Sequence, residues 1–86
     1  MPRISSFYGI VIILYYADHA PPHFHARYGE YESQVRISDG ETLHGALPKR
    51  AAALVTEWVS LHRQELESDW ILARQGQPLT TIEPLP

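Results

Sequence analysis

His23-Phe24-His25-Ala26-Arg27-Tyr28-Gly29-Glu30-Tyr31-Glu32-Ser33-Gln34-Val35-Arg36-Ile37 decides the fold. From Phe24 to Tyr28 the chain alternates, with His23, His25 and Arg27 on one side and Phe24, Ala26 and Tyr28 on the other. That period of two is the signature of a strand. Gly29-Glu30 marks a hairpin turn, and a second alternating run follows. There Tyr31, Ser33, Val35 and Ile37 oppose Glu32, Gln34 and Arg36, and the second set is expected to face water.

Working outward, Asp18-His19-Ala20-Pro21-Pro22 leads into this hairpin. Two adjacent prolines stiffen the segment, because neither can donate to a ladder and each restricts the residue before it. Upstream, Ile10-Val11-Ile12-Ile13-Leu14-Tyr15-Tyr16 is β-branched and aromatic, which suits a strand buried on both faces. Phe7-Tyr8-Gly9 reads as a short strand meeting a turn. Downstream, Ser38-Asp39-Gly40-Glu41 carries a strong Asp-Gly turn signal, and Thr42 to Leu47 is a last short strand. Three or four antiparallel strands therefore precede the helical part.

Pro48 suits a helix start. Ala51, Leu54, Val55, Trp58, Leu61 and His62 then follow helical spacing, and Leu66, Trp70 and Ala73 continue it. One straight helix from Lys49 to Gln75 would be ~40 Å long, more than so small a domain accommodates. A break is expected near Glu67 to Asp69, with Ser68 or Asp69 capping a second helix. Gly76 and Pro78 stop the helix, and residues 77–86 form an extended tail that lies along the domain or adds an edge strand. The expected fold is a single α+β domain: residues 1–47 mainly β, 48–76 helical, 77–86 tail.

The chain has 86 residues, no cysteine and a formal charge of -3 with its five histidines neutral. So short a chain buries a modest core, and a partner is expected to add stability. Without cysteine there are no disulfides and no thiolate metal sites. The acidic balance argues against broad nonspecific binding to nucleic acid, which needs a basic surface. The longest apolar run is too short for a bilayer, and the N-terminal residues lack the pattern of a signal peptide. A cytoplasmic protein is the expectation.

The candidate site is Asp18, His19, His23, His25 and Arg27: one carboxylate, three of the five histidines and one arginine within ten residues. Three readings stand side by side. In the first, His23 and His25, ~7 Å apart at Cα on one strand face, share a divalent metal such as zinc. His19 or Asp18 supplies a third ligand, and His44 or His62 a fourth. In the second, His23 or His25 moves protons, Asp18 orients an imidazole and Arg27 holds an anionic group, a constellation suited to RNA cleavage. In the third, Asp18 caps a turn and the histidines are polar surface. Elsewhere, His44 reads as surface, His62 as a half-buried satisfied side chain, Trp58 and Trp70 as core, and Lys49-Arg50 as a solvated pair.

Ile4-Ser5-Ser6-Phe7-Tyr8-Gly9-Ile10 and the Tyr15–His25 block, with Asp-His-x-Pro-Pro-His-Phe-His at its heart, carry a family resemblance. So do Gly45-Ala46-Leu47-Pro48, Glu57-Trp58, Leu61-His62 and Gly76-Gln77-Pro78-Leu79. The chain resembles a widespread group of very small bacterial proteins classed as a domain of unknown function. Some are named DhiT-like toxins of type II toxin–antitoxin pairs. The resemblance implies a toxin with a small cognate antitoxin as partner; joined to the histidine segment, the expectation is an enzyme acting on RNA, ribonuclease-like or a metal-assisted hydrolase. It places Asp18, His19, His23 and His25 in the shared block, with Arg27 just past it. The competing expectation is a non-catalytic protein-binding module, a homodimer or a complex, whose histidine cluster is structural or metal-binding.

Overall fold

A computed structural model describes residues 2–16 and 18–86. The fold is α+β: a five-stranded antiparallel sheet in the order β1-β2-β3-β4-β5, followed by one long helix and an extended tail. The strands are β1 (Arg3–Phe7), β2 (Ile10–Ile13), β3 (His23–Tyr28), β4 (Tyr31–Arg36) and β5 (Thr42–Ala46), and the helix is α1 (Lys49–Arg74). Every connection is a hairpin or a loop between neighbours, so the sheet is a simple meander. The sheet has one strand more than the upper count expected, because Arg3–Phe7 pairs with β2 across the tight Tyr8-Gly9 turn, with an irregularity at Ile4. Both turn residues have positive φ, 50° and 81°, the geometry that lets a two-residue loop follow the strand twist.

The apolar run is strand only as far as Ile13; Leu14 N–H still bonds the Pro2 carbonyl at 3.1 Å, and the loop begins beyond it. The core lies between one sheet face and α1. Ile10, Ile12, Phe24, Ala26 and Val35 meet Val55, Trp58, Val59 and Leu66 there. Trp58 is the hub. It is fully buried, its ring lies 5.4 Å from Phe7 and 5.8 Å from Phe24, and its indole N–H donates to the Glu83 carbonyl at 2.8 Å.

A straight helix of 26 residues would be ~39 Å long. The longest dimension of the domain is 33 Å, and α1 bends to fit. The break falls at His62 (φ -127°, ψ 23°), not at Glu67 to Asp69. His62 packs on Trp58 at 5.6 Å and bonds Glu65 at 2.6 Å, which provides for a ring and a backbone displaced from the regular ladder. After the bend, the second half carries Trp70 back to the sheet. Gly76 (φ 70°) ends the helix as expected, with Gly76 N–H on Ala73 and Gln77 N–H on Leu72, a Schellman closure.

The tail lies along the domain. Ile82 N–H bonds the Ile4 carbonyl at the outer edge of β1, and Tyr8 donates to the Pro86 carbonyl. Asp69, buried on α1, receives the Thr80 N–H at 2.8 Å through Oδ1, while Oδ2 has no partner. Burial pushes this carboxyl above its usual range, and the charge of Glu65 adds to the effect against the Thr80 hydrogen bond. The folded state therefore favours protonated Asp69. The resulting stabilisation is complete below the unfolded value of about 3.9 and is lost as pH rises through the folded value. Asp69→Asn is expected to gain stability relative to wild type between about pH 3 and about pH 7. Paired urea titrations at the two pH values measure this; a constant difference would contradict it.

Candidate metal centre

The second sheet face carries the chemistry. Register places Ile13 beside His25, His25 beside Gln34, Arg27 beside Glu32, and Gln34 beside His44. His23 and His25 thus stand in the middle strand of the sheet, two residues apart on the same face. The loop after β2 folds over them and brings Tyr15 and Asp18. Its far end is pinned where Ile37 N–H bonds the Pro22 carbonyl at 3.0 Å.

Asp18 Oδ2 lies 3.1 Å from His23 Nε2 and 3.4 Å from His25 Nε2. The three ligand atoms all fall within 4.8 Å of one another. Both imidazoles are buried, and Asp18 is mostly covered. The far nitrogens are also committed. His23 Nδ1 is 2.8 Å from the Pro21 carbonyl, and His25 Nδ1 is 3.1 Å from Glu32 Oε2. A carbonyl or an ionised carboxylate only accepts, so both Nδ1 atoms carry the hydrogen. In the neutral rings, Nε2 then presents a lone pair, and both lone pairs face the Asp18 carboxylate. Protonated rings would instead donate from Nε2 to this carboxylate; with neutral rings, the two nitrogens and Asp18 Oδ2 form a three-donor set aimed at one point, which suits a cation.

The surroundings hold this geometry. Tyr15 packs edge-on against His25 at 4.6 Å, and Trp70 lies 5.5 Å from His23. Arg27 Nε donates to Glu32 Oε1 at 2.9 Å and its terminal nitrogen donates to the Tyr15 hydroxyl at 3.2 Å. The Arg27 hydrogen bond, against the effect of burial and with help from His25, holds the Glu32 carboxyl below its usual range. Burial pushes Asp18 upward, but hydrogen bonds from His25 and the His19 N–H, with the charges of His23 and His25, leave it below its usual range. Both carboxylates therefore stay ionised, one toward the centre and one behind it. Gly45 (φ 75°) lets β5 close against this region: a Cβ there would stand 2.3 Å from the Glu32 carbonyl oxygen.

Of the residues singled out from sequence, Asp18, His23 and His25 converge. His19 is exposed; its N–H bonds Asp18 Oδ1 at 3.0 Å, and its ring borders a neighbouring groove rather than the cluster. Arg27 supports Glu32 and Tyr15. His62 lies on the core side with Trp58, and His44 is exposed on β5, so neither completes the cluster. Sequence reading missed Tyr15, Glu32 and Trp70. Glu32 had a usable signal: a two-residue turn at Gly29-Glu30 pairs Arg27 with Glu32, one step diagonally from His25.

The groove beside the cluster, about 390 Å³, has His19, His23, Gln34 and His44 among its walls. A larger cavity of about 410 Å³ between Tyr8, Tyr28, Arg50 and Leu54 shares no residue with the cluster.

Fold and site define a small α+β protein with two histidines and one aspartate converging on a buried point. The chain belongs to the family described as domain of unknown function DUF4160, which matches residues 9–71. No curated protein and no solved structure matches it. Among the described residues, no helix is long and apolar enough to cross a membrane.

Proposed function

We propose that Asp18, His23 and His25 hold a divalent first-row metal ion, zinc in the first instance, and that the protein is a small metal-dependent hydrolase. One observation carries this reading: Asp18 Oδ2 sits between two Nε2 atoms whose rings are oriented from behind by Pro21 and Glu32. Metal-binding histidines are held in this way, with the second nitrogen donating to a carbonyl or carboxylate. The spacing fits as well. With bonds of ~2.0–2.1 Å, ligand atoms on a tetrahedral zinc stand ~3.3 Å apart. In the structure Asp18 Oδ2 stands 3.1 and 3.4 Å from the two Nε2 atoms. Three protein ligands would leave a position open for water, and an ion held there would supply Lewis-acid activation of that water near neutral pH.

The family resemblance adds a role, the toxin of a type II toxin–antitoxin pair in the cytoplasm with a small antitoxin as partner, and the target that suits the histidine and carboxylate chemistry is RNA. The test is growth arrest on expression, relieved by His23→Ala/His25→Ala, together with RNA cleavage that requires added zinc. Arrest that persists in the double variant would refute it. A non-catalytic binding module draws on a different observation: all five residues of the edge strand β5 are exposed. That reading predicts a stable complex through β5 and no hydrolysis with zinc bound.

The orienting carboxylate gives a graded prediction. Glu32→Gln keeps the side-chain shape but removes the charge behind His25, and is expected to weaken zinc binding ~10–100-fold. Competition with a chromophoric chelator measures it; unchanged affinity would show that Glu32 does not tune the centre.

A further inference from the structure

We infer that the groove beside the metal centre binds an oligonucleotide phosphodiester, with the phosphoryl group at the ion and a flanking nucleotide held by Gln34 and His44. This rests on the metal reading above and extends it to the substrate.

Of the three proposed ligands His23 alone lines the groove, whose other walls include Gln34 on β4 and Leu43 and His44 on β5. No acidic residue is among its described lining residues, although the chain carries a net charge of -3. Besides the proposed ligand His23, its polar side chains are those of His19, His44 and Gln34, all able to donate to phosphate or base oxygens. Leu43, 37% exposed, and Pro21 add apolar surface of the kind a flat ring covers. Such a surface suits a ligand that is anionic at one end and ring-bearing at the other. Register gives the scale. Gln34 pairs with both His25 and His44, so His44 stands two strands from the cluster, ~10 Å away. A free phosphate at the ion cannot span that distance; a dinucleotide can.

The experiment uses the tag-free protein loaded with cobalt(II), whose visible absorption reports on ligands entering the ion's open position. It is titrated with inorganic phosphate and with the dinucleotide UpU. Both are expected to perturb the spectrum. His44→Ala and Gln34→Ala should each weaken UpU about two- to tenfold, the value of one hydrogen bond, and leave phosphate unchanged. His44 is exposed on an edge strand, so its removal leaves the core and the ion's ligands in place. Equal UpU affinity in wild type and both variants, with cobalt bound, would overturn the groove assignment alone. An equal loss of phosphate and UpU would overturn it too, by showing that the variants disturb the centre itself. Failure to bind cobalt would overturn both the metal reading and this inference, which places the phosphoryl group on the ion.

Discussion

His23→Ala is expected to abolish stoichiometric zinc binding. Removing an orienting partner of a ligand costs ~10–100-fold in affinity, and removing the ligand itself should exceed the upper end of that range. His23 is one of two nitrogen donors, and its Nε2 lies 3.1 Å from Asp18 Oδ2. The same substitution also opens space beside Trp70, so loss of binding alone would not separate a missing ligand from a disturbed fold. Asp18→Asn provides the control. It preserves shape in a loop, outside every strand, and replaces the anionic donor with a neutral amide. Both variants should keep the wild-type circular dichroism and fail to bind one equivalent of zinc in calorimetry. Retention of full-affinity binding by either variant would contradict the assignment.

Trp58→Ala is expected to destabilise the domain by ~3–5 kcal/mol. The indole joins three parts of the chain that are far apart in sequence: Phe7 on β1, Phe24 on β3 and the Glu83 carbonyl in the tail. Its loss leaves a cavity and removes the donor to the Glu83 carbonyl. Domains of this kind have a total stability of ~5–15 kcal/mol, so the variant should be close to unfolding at ambient temperature. Trp58→Phe retains most of the packing and loses the N–H, and its cost should be smaller, ~0.5–1.5 kcal/mol for the lost hydrogen bond to Glu83. Urea denaturation of both variants checks the order. Equal costs would mean that ring packing against Phe7 and Phe24 adds nothing beyond the N–H, and would contradict the role of the indole as the hub of the core.

The β3–β4 hairpin was legible because its side chains alternate over both arms and Gly29 marks the turn. That alternation also placed His23, His25 and Arg27 on one face, as observed. The helix was legible from its apolar spacing, and its need to bend from length alone. The position of the bend was not, because neither glycine nor proline marks His62; contacts with Trp58 and Glu65 set it there. β1 was read only as a short strand because its identity comes from pairing with β2 and from the tail along its outer edge, both long-range. The site divides in the same way. Asp18, His23 and His25 stood out by composition. Which of them converge depends on the path of the loop over the sheet, a tertiary property with no local signal. Arg27 looked like an anion binder in isolation, yet its cross-strand partner is Glu32, and its guanidinium supports the ring behind the centre.

The most direct measurement is anomalous diffraction at the zinc edge from crystals of tag-free protein grown with one equivalent of zinc. The expected result is a single strong peak bonded to Asp18 Oδ2, His23 Nε2 and His25 Nε2 at ~2.0–2.1 Å, with a water at the remaining position facing the groove. Zinc bound elsewhere, or Asp18 bridging the two imidazoles with no ion between them, would contradict the metal centre.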